Sequence, residues 1–139
     1  MKKKLILTLS FVISLLPMLL NQYGGRKGVQ EITGLINLLS PLGTLSVVLF
    51  LAGVWFPFRN QIAGKTLGAS GAVGIVVSEI YQFFTWHTMT ITGEIGLQHS
   101  FRLAFPEFYL GLIASIAMVI AYFAIDKKAA AASNPKSAM

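Results

Sequence analysis

Apolar positions along the chain gather into four runs separated by short polar stretches. The first covers residues 5–20, directly after Lys2, Lys3 and Lys4. It is short for a bilayer-crossing helix, which needs about 20 apolar residues, but lysines snorkel and extend its reach. A charged start before an apolar run also fits a signal peptide. No small-x-small cleavage site follows, because Asn21, Gln22, Tyr23, Gly24 and Gly25 come next. A retained helix is therefore expected, with Pro17 loosening its outer end.

The second run has no charge over residues 32–58. Ser40-Pro41 divides it, since proline disfavours helical geometry in the residue before it. Ahead of the break, Val29, Ile32, Ile36 and Leu39 recur at helical spacing, with Gln30, Thr33 and Asn37 elsewhere. That pattern predicts a short amphipathic helix in the membrane interface. Residues 42–58 then cross, ending on Trp55, Phe56 and Phe58 as an aromatic anchor beside Arg59. The third span is read over residues 66–86 and the fourth over 108–125. The Ala/Ser-rich tail, 129–139, reads as a disordered cytoplasmic end, leaving 1–128 as one transmembrane domain.

Between the third and fourth runs the periodicity changes. Met89, Ile91, Ile95, Leu97, Phe101, Leu103 and Phe105 fall on odd positions, while Glu94, Gln98, Ser100 and Arg102 fall on even ones. Period two with Gly93-Glu94 at the centre predicts a β-hairpin with one apolar face. The fold class is thus an all-α membrane protein of four transmembrane helices. It has a small extracytoplasmic β-hairpin in outer segment 87–107 and an interfacial helix in outer segment 21–41.

Composition agrees with lipid as the solvent. Hydrophobic residues make up 55% and charged residues 12%, about half the charge of a soluble domain. The net charge of +6 reads as topology once it is mapped. Four spans put Lys2, Lys3, Lys4, Arg59, Lys65, Lys127, Lys128 and Lys136 on one side, and Arg26, Lys27 and Arg102 on the other. The positive-inside rule places both termini in the cytoplasm. No nucleic-acid motif accompanies the basic residues, so no nucleic-acid partner is expected. The lysine-rich start suggests a bacterial plasma membrane.

Helices in lipid associate through small residues. Gly64, Gly68 and Ala72 share one face of the third run, and Ser70, Gly74 and Ser78 another. The fourth run carries Ala114, Ala117, Ala121 and Ala124. These two helices are expected to pack closely together. The second glycine face would then meet another helix or a second copy of the chain.

Glu79 is the one ionisable residue inside a span and lies on the packed side of its helix. A charge there is costly unless paired or hydrated. Two readings stand. Glu79 binds a proton or cation with Gln82 one turn away, or it is a structural hydrogen-bond partner or pairs with Arg102, Arg26 or Lys27 from an outer loop.

Chemistry is otherwise sparse. The absence of cysteine removes thiolate catalysis, disulfides and cysteine metal sites. His87 and His99 with Glu94 or Glu107 follow no metal-ligand spacing, and His99-Ser100 supplies no third triad member. Residues 23–28 are glycine-rich but lack the Lys-Ser/Thr ending of a phosphate loop. No enzyme, cofactor or metal is expected. The outline resembles tetraspan membrane proteins, without the cysteines and tryptophan signature of claudin-like ones, and it implies no function by itself.

The expected role is a non-catalytic accessory, immunity-type or recognition component. It would meet a membrane or extracytoplasmic protein through an outer cap carrying Glu94, His99 and Arg102. The alternative is a small oligomeric transporter or channel that uses Glu79.

Overall fold

The computed structural model describes residues 2–24, 31–86 and 97–133. Helix α1, Lys2–Leu15, passes into a 3-10 helix at Leu16–Leu19. Pro17 brings no backbone N–H, so the α ladder cannot continue through it. At 1.5 Å per α residue and about 2 Å per 3-10 residue, the pair spans about 29 Å. Strand β1, Asn21–Tyr23, pairs antiparallel with β2, Ile32–Thr33, in the register Asn21↔Thr33 and Tyr23↔Ile32. Helix α2, Leu35–Leu39, stops at Ser40, which is extended at φ −63° and ψ 150°.

Helix α3, Pro41–Trp55, starts with proline in its first turn, and the N–H of Gly43 donates to Ser40 Oγ at 3.0 Å. The break expected at Ser40-Pro41 is therefore a helix cap, which supplies a partner for an otherwise orphaned amide. Helix α4, Gln61–Thr85, is capped by Asn60, whose Oδ1 accepts from Ile62 N–H at 2.9 Å. Helix α5 is Leu97–Leu103 and α6 is Pro106–Ser133.

The four longer helices form a ring of contacts: α1 touches α3 and α6, and α4 touches α3 and α6. One end of the ring carries the lysines. There Trp55 Nε1 donates to Thr8 Oγ1 at 3.0 Å, Lys4 Nζ donates to the Trp55 carbonyl at 3.4 Å, and Tyr122 Oη donates to the Lys65 carbonyl at 3.0 Å. The other end carries the strands, α2 and α5. The main core lies between the helices and contains Leu7, Phe11, Met18, Phe50, Val54, Ala72, Ile75, Met118 and Tyr122. A second, aromatic cluster of Tyr23, Phe83, Trp86 and Phe108 fills the strand end.

The outer faces of the helices are apolar and exposed. Leu5, Leu9 and Ile13 of α1, Leu45 and Val48 of α3, Val73, Val77 and Ile80 of α4, and Leu110, Ile113 and Ile120 of α6 all point outward. Two helical stretches, Gln61–Thr85 and Pro106–Ile125, are long and apolar enough to cross a membrane. The second has a mean hydropathy of 2.3 while only 28% of it is buried. Helix α3 is a shorter apolar helix, about 22 Å at 1.5 Å per residue.

Several expectations change. Residues 97–103 are α5, not the second strand of a hairpin. Leu97 and Phe101 are also four apart, so the same residues satisfy helical spacing, and in so short a window the helix wins. The first half of the expected hairpin, 87–96, lies outside the described residues, as does the glycine-rich stretch 25–30. The two-stranded sheet instead belongs to the segment before α2. The fourth helix continues through 129–133, where disorder was expected, because alanine is the strongest helix former; 134–139 lie outside the described residues.

The packing partner also changes. The glycines of α4 meet α3 at backbone distance. A Cβ on Gly53 would stand 2.2 Å from Gly68 N, one on Gly71 2.2 Å from Phe50 N, and one on Gly74 2.3 Å from Ser46 Oγ. Both glycine faces of α4 therefore include contacts to α3. Only Gly68 also faces α6, where a Cβ would meet Tyr122 Oη at 2.3 Å. Gly64 lies against Phe58 and Ala72 is fully buried. On α6 the alanine seam is not the packed face. Ala117 and Ala124 are exposed, and Ala114 and Ala121 half-buried. Phe108, Gly111, Ser115, Met118 and Tyr122 face inward at spacings of three and four. Phe108, Met118 and Tyr122 pack α6 on its neighbours through side chains, whereas the glycines pack α3 and α4 through backbone.

Candidate functional site

The strand end is stitched from two distant parts of the chain. Gly24 N–H donates to the Leu103 carbonyl at 3.0 Å, Phe105 N–H donates to the Gln22 carbonyl at 2.8 Å, and Tyr23 bridges to Ala104. β1 is thus held by β2 on one edge and by the residues after α5 on the other. Gly24 turns away at φ 102°, a conformation that side chains with a Cβ resist. Glu31 Oε2 accepts from Asn21 Nδ2 at the exposed rim.

Beneath this layer lies a band of buried polar side chains. Gln22 is 1% exposed. Its Oε1 accepts from Asn37 Nδ2 at 3.2 Å and its Nε2 donates to the Pro17 carbonyl at 3.4 Å. Gly34 leaves room for it: a Cβ there would fall 2.4 Å from Gln22 Cδ. The Asn37 carbonyl accepts from Ser40 Oγ at 2.7 Å and from Ser78 Oγ at 3.2 Å, so the cap of α3 is tied to α4.

Next to Ser78 on α4 is Glu79, 1% exposed. Ser115 of α6 donates its hydroxyl to Glu79 Oε1 at 2.6 Å. Glu79 Oε2 and Gln82 Nε2 have no hydrogen-bond partner among the described residues, and the same is true of Tyr23 Oη and Asn37 Oδ1. Burial pushes the Tyr23 phenol above its ordinary range, and the neighbouring Glu79 and Tyr109 push it further, so Tyr23 keeps its proton and remains a donor. Tyr23 stacks on Trp86 at 5.1 Å and lies 5.3 Å from Phe108. The carboxyl of Glu79 therefore sits under an aromatic lid, inside a polar band contributed by α2, α4, α6 and β1.

Glu79 and Gln82 are both buried on one face of α4, as their spacing implies. Arg102 does not join them; it is exposed in the last turn of α5. His99 is on α5, and Glu94 lies outside the described residues, as do Arg26 and Lys27. Among the described residues no three His, Cys, Asp or Glu side chains converge on a metal position. The partners that sequence reasoning missed are Ser115, Gln22 and Tyr23. Ser115 has one signal, its place among Phe108, Met118 and Tyr122 on the inward stripe of α6. Gln22 and Tyr23 have none, because a tertiary fold of the loop buries them.

Comparison with protein-family models, with curated proteins and with solved structures returns no match.

Proposed function

We propose that this chain is a multi-pass membrane protein of four spans with both ends in the cytoplasm, placed in a bacterial plasma membrane. It acts without catalysis, as an accessory, immunity-type or recognition component that meets another protein through its strand end. Support for the membrane setting comes from apolar side chains exposed on all four long helices. A water-soluble fold would bury most of these. Four lengths of helix whose neighbours run antiparallel, with lysines at one end, fit a bundle in lipid.

The observation that carries the recognition reading is the construction of the strand end. Two loops are fixed to each other through β1 and to the helices through Gln22, Tyr23 and Trp86, all almost fully buried. A surface held this way is preorganised, which lowers the entropy lost when a partner docks. It presents Phe101, 59% exposed, with Gln98 and Arg102 beside it on α5. A photo-crosslinking residue at Gln98 in membranes of the native host should give one discrete adduct, weakened at least about tenfold by Phe101→Ala with Arg102→Ala. Absence of an adduct at both Gln98 and Phe101 contradicts the recognition reading.

A second reading rests on a different observation: Glu79 Oε2 and, one turn later on α4, Gln82 Nε2 have no hydrogen-bond partner among the described residues. Ionisable groups inside a bundle mark proton and cation paths in transporters. In proteoliposomes this reading expects proton or sodium flux that Glu79→Gln abolishes while the protein stays folded. Flux retained by the variant removes Glu79 from that role.

A further inference from the structure

At the lysine end, a cavity of about 460 Å³ opens between the start of α1, the end of α3 and the start of α4. Lys3, Lys4 and Lys65 line it together with Gln61, and Leu7 and Val54 form part of its apolar wall. Among the described residues that line it there is no carboxylate. It lies against the first turn of α4, a helix of 25 residues with no acidic residue in that turn. The aligned peptide dipoles therefore add positive potential to that of the ammonium groups. Lys4 is aimed by its hydrogen bond to the Trp55 carbonyl and lies 5.7 Å from the centre of the Trp55 ring.

We propose that this cavity binds the phosphate of an anionic phospholipid headgroup from the leaflet facing the lysine end. The ligand class follows from the lining. A phosphodiester needs cationic donors, which the three lysines supply. The glycerol and the first methylenes of its chains need an apolar wall, which Leu7 and Val54 supply. Phe56, 65% exposed, and Pro57 line the cavity and give the acyl chains an apolar surface to leave along. Basic pockets between helices at the cytoplasmic leaflet are suited to such headgroups. The inference rests on the membrane reading given above, and its test separates the two.

The full-length protein in detergent is titrated with phosphatidylglycerol, with phosphatidylcholine and with inorganic phosphate, and bound species are counted by native mass spectrometry. Phosphatidylglycerol should bind with saturation and phosphatidylcholine far more weakly, while millimolar phosphate should not displace the lipid. The double substitution Lys3→Gln/Lys65→Gln should lower phosphatidylglycerol affinity about fivefold per lysine, and Lys3→Arg/Lys65→Arg should restore it. The control Lys2→Gln/Arg59→Gln removes the same charge from side chains outside the cavity and should change affinity less than twofold. Circular dichroism confirms folding of each variant.

Equal loss in the control and the cavity variant overturns the proposal, because attraction would then be to net charge. Full displacement by inorganic phosphate overturns it in favour of a free-anion site. Failure of the protein to insert into vesicles of either lipid overturns the membrane reading itself. Normal insertion without phosphatidylglycerol preference overturns only the cavity's role.

Discussion

The two sides of α4 solve the same packing problem in opposite ways. Toward α3 the contact is backbone on backbone: Gly53 lies on Gly68, and Gly71 lies on Phe50. Toward α6 the contact is made by side chains, with Ser115 on Glu79 and Tyr122 over Gly68. The first side leaves no room for a single added carbon. The second carries the buried carboxyl of Glu79 and its hydroxyl partner Ser115. Backbone-on-backbone approach and the buried carboxyl are thus divided between the two faces of one helix.

The comparison breaks most directly on the α3 side. Gly71→Leu forces a side chain into the α3 backbone and should destabilise the protein by about 3 kcal/mol or more, measured by thermal melting in detergent. Ala117→Leu, on the exposed face of α6, should stay within about 0.5 kcal/mol in the same assay. A similar loss from both would mean that α3 and α4 do not touch as described.

The next effect tests the side-chain packing of α6. Met118→Ala removes a fully buried side chain that receives a hydrogen-bond contact from Ser14 Oγ at 3.7 Å. The cavity left behind should destabilise the protein by about 2–3 kcal/mol. The loss should be recovered in part by Met118→Leu, which nearly conserves volume.

The smallest effect sharpens the polar contact. Ser115→Ala should reduce stability by about 1 kcal/mol. In a double-mutant cycle with Glu79→Gln the two losses should add to less than their sum, since both remove one hydrogen bond. Strict additivity would separate Ser115 from Glu79.

The residues that were legible in the sequence act locally. Ser40-Pro41 specifies a cap whatever surrounds it, because proline restricts its neighbour and serine supplies the acceptor. Glu79 and the glycines of α4 stand out by residue type alone. What was not legible is which surface each feature meets. Small residues announce close approach but do not name the partner, so α6 was expected where α3 is found. Alternation over 97–105 carried two periods at once, and only packing against α4, through Phe101 on Phe83 at 5.0 Å, selects the helix. Gln22 and Tyr23 read as an ordinary polar loop, and their burial depends on contacts with residues 103–105, about eighty positions away.

The central claim is that lipid surrounds the apolar faces of four helices whose lysine ends share one side of the bilayer. The chain contains no cysteine, so single cysteines at Lys2, Asn21, Asn60 and Gln98 can be labelled one at a time in intact cells with a membrane-impermeant maleimide. The account predicts labelling at Asn21 and Gln98, and labelling at Lys2 and Asn60 only after permeabilisation. Labelling of all four in intact cells, or release of the protein from membranes by alkaline carbonate, would contradict it.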